Sequence, residues 1–206
     1  MKPREKRKAA ELGWQRGEIL DAALEVFAAK GYEGTSMNAI AEASGFSVGH
    51  IYNVIGNKEA LYDAVMMREG KELMDLVDDI VESGRRLPAA ECIDGLIEAV
   101  LGFFDSHRSL FQIYMNEAGG ARVNIERRFA APLAEMKRQT DAAVRKLFAR
   151  AAAEGVTAEL SAADMTVALS ELINGFITAW STSGYRGRIT GKAGVIKRIL
   201  WKGISR

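Results

Sequence analysis

The chain has 206 residues, of which 48% are apolar, enough to bury a real core and to divide into a small domain and a larger one. Its 28 Lys and Arg nearly cancel its 27 Asp and Glu, which argues against a strongly basic nucleic-acid binder, and its single cysteine, Cys92, excludes an internal disulfide. No apolar run approaches bilayer-crossing length, and the basic start Lys2 to Lys8 is followed by Ala9, Ala10 and Glu11 rather than an apolar segment, so no membrane span and no secretory signal are expected and the protein is placed in the cytoplasm.

Charge distribution says more than net charge. Lys2, Arg4, Lys6, Arg7, Lys8 and Arg16 outweigh Glu5 and Glu11, and residues 1–13 read as a disordered basic arm, either settling on phosphates or serving as a solvated tail. Ile19, Leu20, Ala23, Leu24 and Phe27 then share one face of a helix expected from Trp14 to Lys30 and closed by Gly31. From Thr35 to Val54 the pattern is two short helices around a tight turn. Thr35 or Ser36 caps the first, Ile40 and Ala41 face inward, and Gly45 ends it in the left-handed conformation that only glycine adopts cheaply. Ser47 caps the second helix, which buries Ile51 and leaves Ser47, Val48, His50 and Asn53 outward, as a helix lying in a DNA major groove requires. Residues 14–56 are therefore expected to form a helix-turn-helix head.

Asn57 caps a fourth helix whose apolar stripe persists to Val81, so that the helix is about 35 Å long at 1.5 Å per residue, with Gly70 midway. Lys58 at its positive end suits a phosphate brought by a partner. After the break at Ser83–Pro88, helices are expected over Ala89–Asp105, Ser109–Glu117, Asn124–Glu154 (containing Pro132), Ala162–Ser183 (capped by Ser161) and Thr190–Ile204. No alternating strand pattern or internal repeat occurs. The expected fold is all-α with about nine helices, a three-helix head followed by a larger helical bundle over 57–206.

Phe27 to Tyr32 (Phe-x-x-x-Gly-Tyr), the Thr35-Ser36 helix start, Ile40-Ala41, Gly45-x-Ser47-x-Gly49, Ile51-Tyr52 and Lys58-Glu59-x-Leu61 together resemble the N-terminal domain of the TetR family of bacterial transcriptional regulators. The resemblance covers residues 15–65 and departs from the family pattern at His50, where Thr is usual, and at Val54 and Ile55, where an aromatic or His followed by Phe is usual. It implies a DNA-binding set of Thr35, Ser36, Ser47, Val48, Gly49, His50, Tyr52, Asn53 and Lys58 on a double-stranded DNA operator, with the backbone grip resting on Tyr52 and Lys58. It further implies a homodimer built from the last two helices, with Leu169, Leu172, Ile173, Val195, Ile199 and Leu200 as interface residues, and an effector that moves the fourth helix to lower operator affinity.

In the middle helices Phe103, Phe104, Phe111, Tyr114, Met115, Met136, Phe176, Ile177 and Trp180 supply soft apolar bulk, and His107, Thr140 and Asn174 a few polar groups. Sparse polar anchors in apolar surroundings are how small-molecule sites are lined. A small, largely apolar effector is the corresponding expectation. No cofactor or metal is expected: His50 and His107 have no cysteine or metal-ligand partner at recognisable spacing, no phosphate-binding glycine loop occurs, and no catalytic constellation is present. The rival reading is a helical adaptor of the same fold acting through protein contacts.

Overall fold

The computed structural model describes residues 2–109, 112–113, 130–157 and 160–204. Among them are eight α-helices and no strand: α1 (Pro3–Gly34), α2 (Met37–Ser44), α3 (Val48–Val54), α4 (Lys58–Ser83), α5 (Ala89–Ser106), α6 (Ala130–Ala153), α7 (Ala162–Thr182) and α8 (Ala193–Ile204), with 3-10 turns at Gly84–Arg86 and Ile189–Lys192. The helix expected over Ser109–Glu117 and the first residues of the one expected from Asn124 lie largely outside the described residues. The chain divides into two compact units, Met1–Glu69 with Ser109–Ala130, and Gly70–Arg108 with Ala131–Arg206. Helix α4 is continuous across the division, which falls at Gly70.

The first unit is built on short-range signals. Ser36 caps α2 by accepting from the Ala39 amide, Gly45 ends α2 at φ 73°, and Ser47 caps α3 by accepting from the His50 amide. Asn57 Oδ1 takes the Ala60 amide at 2.8 Å and so starts α4. Ile19, Leu20, Ala23 and Phe27 of α1, Ile40 of α2, Ile51 of α3 and Leu61, Tyr62 and Val65 of α4 fill the core. Phe27, Tyr32 and Tyr62 pack together within it, each pair of ring centroids 5.0–6.0 Å apart.

The start of α1 differs from the expectation. Residues 3–13 are helical and continue α1, where a disordered arm was expected. The physical reason lies in Pro3 at the first helical turn, where a missing amide does no harm, in the Lys2 amide that donates to Glu5 Oε2 at 2.8 Å, and in the good helix formers of Lys6 to Leu12. At the other end Gly31 takes φ 69° and breaks the helical path, as its position after Lys30 suggests.

In the second unit Ile93, Leu96, Ile97 and Leu101 of α5, Leu147, Phe148 and Ala151 of α6, Met165, Leu169 and Ile177 of α7, and Ile196 and Leu200 of α8 are buried. Cys92 joins them as core filler beside Gly84, where even an added Cβ would collide with its sulfur. Polar side chains tie the helix ends. Glu154 accepts the Ala89 amide at 2.8 Å, and Arg150 donates to the carbonyls of Gly84 and Leu87. Asp105, at the end of α5, accepts the amides of Ile189 and Thr190 and the Thr190 hydroxyl at 2.7–3.1 Å. That cap holds Ile189–Lys192 in a 3-10 turn, so the regular helix expected from Thr190 starts at Ala193.

Candidate nucleic-acid interface

Helix α3 has seven residues and one fully buried side chain, Ile51. At about 3.6 residues per turn, Gly49 and Asn53 fall opposite Ile51, with Tyr52 and His50 on their flanks. Gly49 and Asn53 are exposed and Tyr52 is half exposed, at 50%. A polar, solvent-facing surface thus rests on a single apolar anchor. The N-terminal end of α3 carries free amides, and Ser47 at its cap is exposed. Such an end favours an anion.

Gly49 has an ordinary helical backbone, and a Cβ added there would meet nothing within 4 Å. Neither the conformation nor the packing of the free chain calls for glycine, which in a helix costs about 1 kcal/mol relative to alanine. His50 is less available than its position suggests. Its ring stacks on Phe46 with centroids 5.1 Å apart, and its Nε2 is buried without a hydrogen-bond partner. Val48 is half-buried beside the cap.

Two expected DNA contacts turn inward. Lys58 Nζ donates to the carbonyls of Tyr32 at 2.7 Å and Thr35 at 2.9 Å, and sits 4.3 Å from the centroid of the Tyr32 ring. It fastens the start of α4 to the end of α1, a use of the ammonium that the sequence reading did not foresee. Thr35 is buried, and its hydroxyl donates to the Gly31 carbonyl at 2.7 Å, so Ser36 is the cap and the exposed hydroxyl of that pair. Sequence reasoning overlooked an aromatic on the same side of the head: Trp14, 61% exposed, meets Phe46 edge-on with centroids 6.4 Å apart. A tryptophan in an otherwise polar stretch was the available signal.

Of the residues expected to line a ligand cavity, Phe111, Tyr114 and Met115 lie outside the described residues. In the second unit Phe103, Ile177 and Trp180 are buried, and Phe104, Met136, Thr140 and Phe176 are half-buried. His107 stacks on Phe103 with centroids 3.9 Å apart, and its Nε2 lies 3.4 Å from Glu72. Trp180 is already engaged: its Nε1 donates to the Gly187 carbonyl, Tyr185 packs edge-on against it, and the Arg108 guanidinium lies 5.2 Å over its ring. Asn174 is exposed, facing away from any interior site.

The expected interface residues divide. Leu169, Ile173 and Leu200 are buried in the chain's own core and Leu172 is half-buried, whereas Val195 and Ile199 on α8 are 43% and 49% exposed. Val167 of α7, 61% exposed, is an apolar surface residue the sequence reading passed over. No helix among the described residues is long and apolar enough to cross a membrane.

Residues 19–65 match the model of the bacterial regulatory proteins of the tetR family. The chain is 25% identical over 168 residues to the HTH-type transcriptional repressor AcnR of Corynebacterium efficiens, an alignment covering 81% of this chain and 82% of that one. It is 30% identical over 112 residues to the HTH-type transcriptional repressor KstR2 of Mycobacterium tuberculosis, spanning 54% of this chain and about half, 55%, of that protein. Among solved structures, the transcriptional regulator FadR of Bacillus subtilis in complex with stearoyl-CoA aligns with a TM-score of 0.76 at 17% identity, covering 91% of this chain and 98% of that one, a likeness of fold.

Proposed function

From a head whose residues 19–65 match the model of the bacterial regulatory proteins of the tetR family, we infer that this chain is a ligand-responsive, DNA-binding transcriptional regulator. The observation that carries the reading is the outer face of α3, where Gly49, Tyr52 and Asn53 are exposed on the side opposite Ile51, the one fully buried side chain of that helix. A helix so presented fits a major groove, with Ser36 and Ser47 at exposed caps for phosphates.

The finer reading is a repressor that binds a palindromic operator as a homodimer and leaves it when a small, largely apolar molecule binds. One recognition helix spans too few base pairs to be selective, and two held roughly 34 Å apart read successive major grooves. Among the described residues of α7 and α8, Val167, Val195 and Ile199 are the exposed large apolar side chains, which a second copy would cover. The effector would enter the second unit among Phe104, Met136, Thr140, Phe176 and His107, all half-buried. Helix α4, 26 residues long and shared by both units, is the continuous element through which occupancy reaches the head. A coupling of about 1–3 kcal/mol suffices for a roughly 5- to 150-fold change in operator affinity.

A mobility-shift assay with DNA from upstream of the protein's own reading frame tests the reading. Retardation that survives excess mixed-sequence competitor, and that is lost in a folded Asn53→Ala, Tyr52→Ala variant, is the expected result. Absence of specific retardation with every promoter fragment offered, or a variant that binds as well as the parent, overturns it and favours the adaptor alternative.

A further inference from the structure

We propose that the exposed start of α1 is a second DNA-contacting element, a preformed basic helix that lies along the phosphate backbone beside the groove entered by α3. The proposal rests on the regulator reading, to which it adds a contact outside the helix-turn-helix.

Charge is the first observation. Residues 2–16 hold six basic and two acidic side chains, a net of +4, while the whole chain is +1; everything else is therefore net −3. The positive charge of this protein is concentrated on one helical segment. Exposure is the second. Every residue from Lys2 to Trp14 is exposed, so capping and helix propensity support this stretch, with the contact of Trp14 on Phe46 at its far end.

Placement is the third observation. Trp14 meets Phe46 in the turn, and Phe46 stacks on His50 of α3, so the basic segment joins the head next to that turn and α3. From Trp14 back to Pro3 is about 16 Å at 1.5 Å per residue. That is close to half of the roughly 34 Å turn of a duplex, long enough to follow the phosphates that border a major groove. Arg4, Arg7 and Lys8 share one face at i, i+3, i+4 spacing and would lie on that backbone. An anionic bilayer fits less well. A membrane-surface helix needs an apolar stripe, and Leu12 and Trp14, two residues apart, point to different sides.

The test compares the full chain with an Arg4→Gln, Arg7→Gln, Lys8→Gln variant, which keeps helix propensity while removing charge. Binding to a labelled duplex of mixed sequence is followed by anisotropy across about 50–200 mM KCl. The expected result is a plot of log K against log[salt] shallower by about 0.9 for each phosphate that the variant no longer neutralises, up to about 2.7, with affinity at the lowest salt down about tenfold or more. Circular dichroism and melting temperature stay at the parent's values. A slope and affinity equal to the parent's overturn the proposal, as does parent binding to anionic phospholipid vesicles that matches or exceeds binding to the duplex and is lost in the variant. The own-promoter assay reads the other question separately: specific retardation kept by the charge variant, with an unchanged salt slope, sinks the basic helix and leaves the regulator standing. A shallower slope without any specific retardation keeps the helix as a duplex contact and sinks the regulator.

Discussion

Lys58 shows how one ammonium can tie distant parts of a fold together. Its two carbonyl acceptors, Tyr32 and Thr35, sit at the junction where α1 hands over to α2, so the lysine fixes the start of α4 against the segment that positions the reading helix. Lys58→Met, which keeps the length of the stem, is expected to lower stability by roughly 1–2 kcal/mol in urea unfolding and to weaken DNA binding without changing its salt slope. A slope shallower by about 0.9 would instead return Lys58 to the phosphates. Asp105 plays a comparable part in the second unit. Burial pushes its carboxyl up, but the hydroxyl and amide of Thr190, the Ile189 amide and Arg188 more than reverse this, and its pKa lies below the ordinary Asp value. A depressed folded-state pKa contributes stability above the unfolded value, about 3.9, and loses it as pH falls through the folded one. Asp105→Asn should therefore be destabilised by roughly 1–3 kcal/mol near neutrality, and the gap to the parent should narrow below about pH 4. A gap that stays constant down to acid pH would mean that the carboxylate's charge contributes nothing there.

At the scale of elements, α3 is a short helix whose sequence serves two masters. Its cap and Ile51 seat it on the head, while Gly49 serves no packing or conformational need of the free protein. Gly49→Ala should raise stability by up to about 1 kcal/mol, measured by thermal or urea unfolding, and yet lower affinity for the operator severalfold, because the new methyl stands between helix and duplex. Unchanged or tighter binding would show that this face does not approach DNA closely. Helix α1 teaches a complementary lesson. Its core stretch, Ile19 to Ala28, is held by burial, whereas its first eleven residues are helical through a proline at the first turn, a glutamate reaching back to the Lys2 amide and a run of helix formers. Charge density alone suggested disorder there, and local capping outweighed it.

For the whole molecule, the residues of α7 and α8 sort by exposure into those buried in the chain's own core and those left at its surface. Val195→Glu with Ile199→Glu, both on the outer side of α8, should leave the chain folded but shift it from dimer to monomer in light scattering. Operator affinity should then fall more than tenfold, since one head reads one half-site. A double variant that remains dimeric would move the interface elsewhere. Leu169→Glu or Leu200→Glu, by contrast, places a charge in the chain's own core and should unfold it.

What was legible beforehand in the amino-acid order is what depends on near neighbours. Ser36, Ser47, Asn57 and Ser161 cap their helices, Gly31 and Gly45 end theirs with positive φ, and the apolar spacing of Ile19 to Phe27 marks a buried face, because each of these effects acts within a few residues. Tertiary structure alone decided the rest. Lys58 found its acceptors 23 and 26 residues away, Asp105 its donors more than 80 residues away, and Leu169, Ile173 and Leu200 went to the chain's own core while Val195 and Ile199 stayed outside. Helical periodicity marks an apolar face but not what covers it, and a charged side chain near a helix end suits a partner's phosphate and the chain's own carbonyls equally until the packing brings one of them within reach.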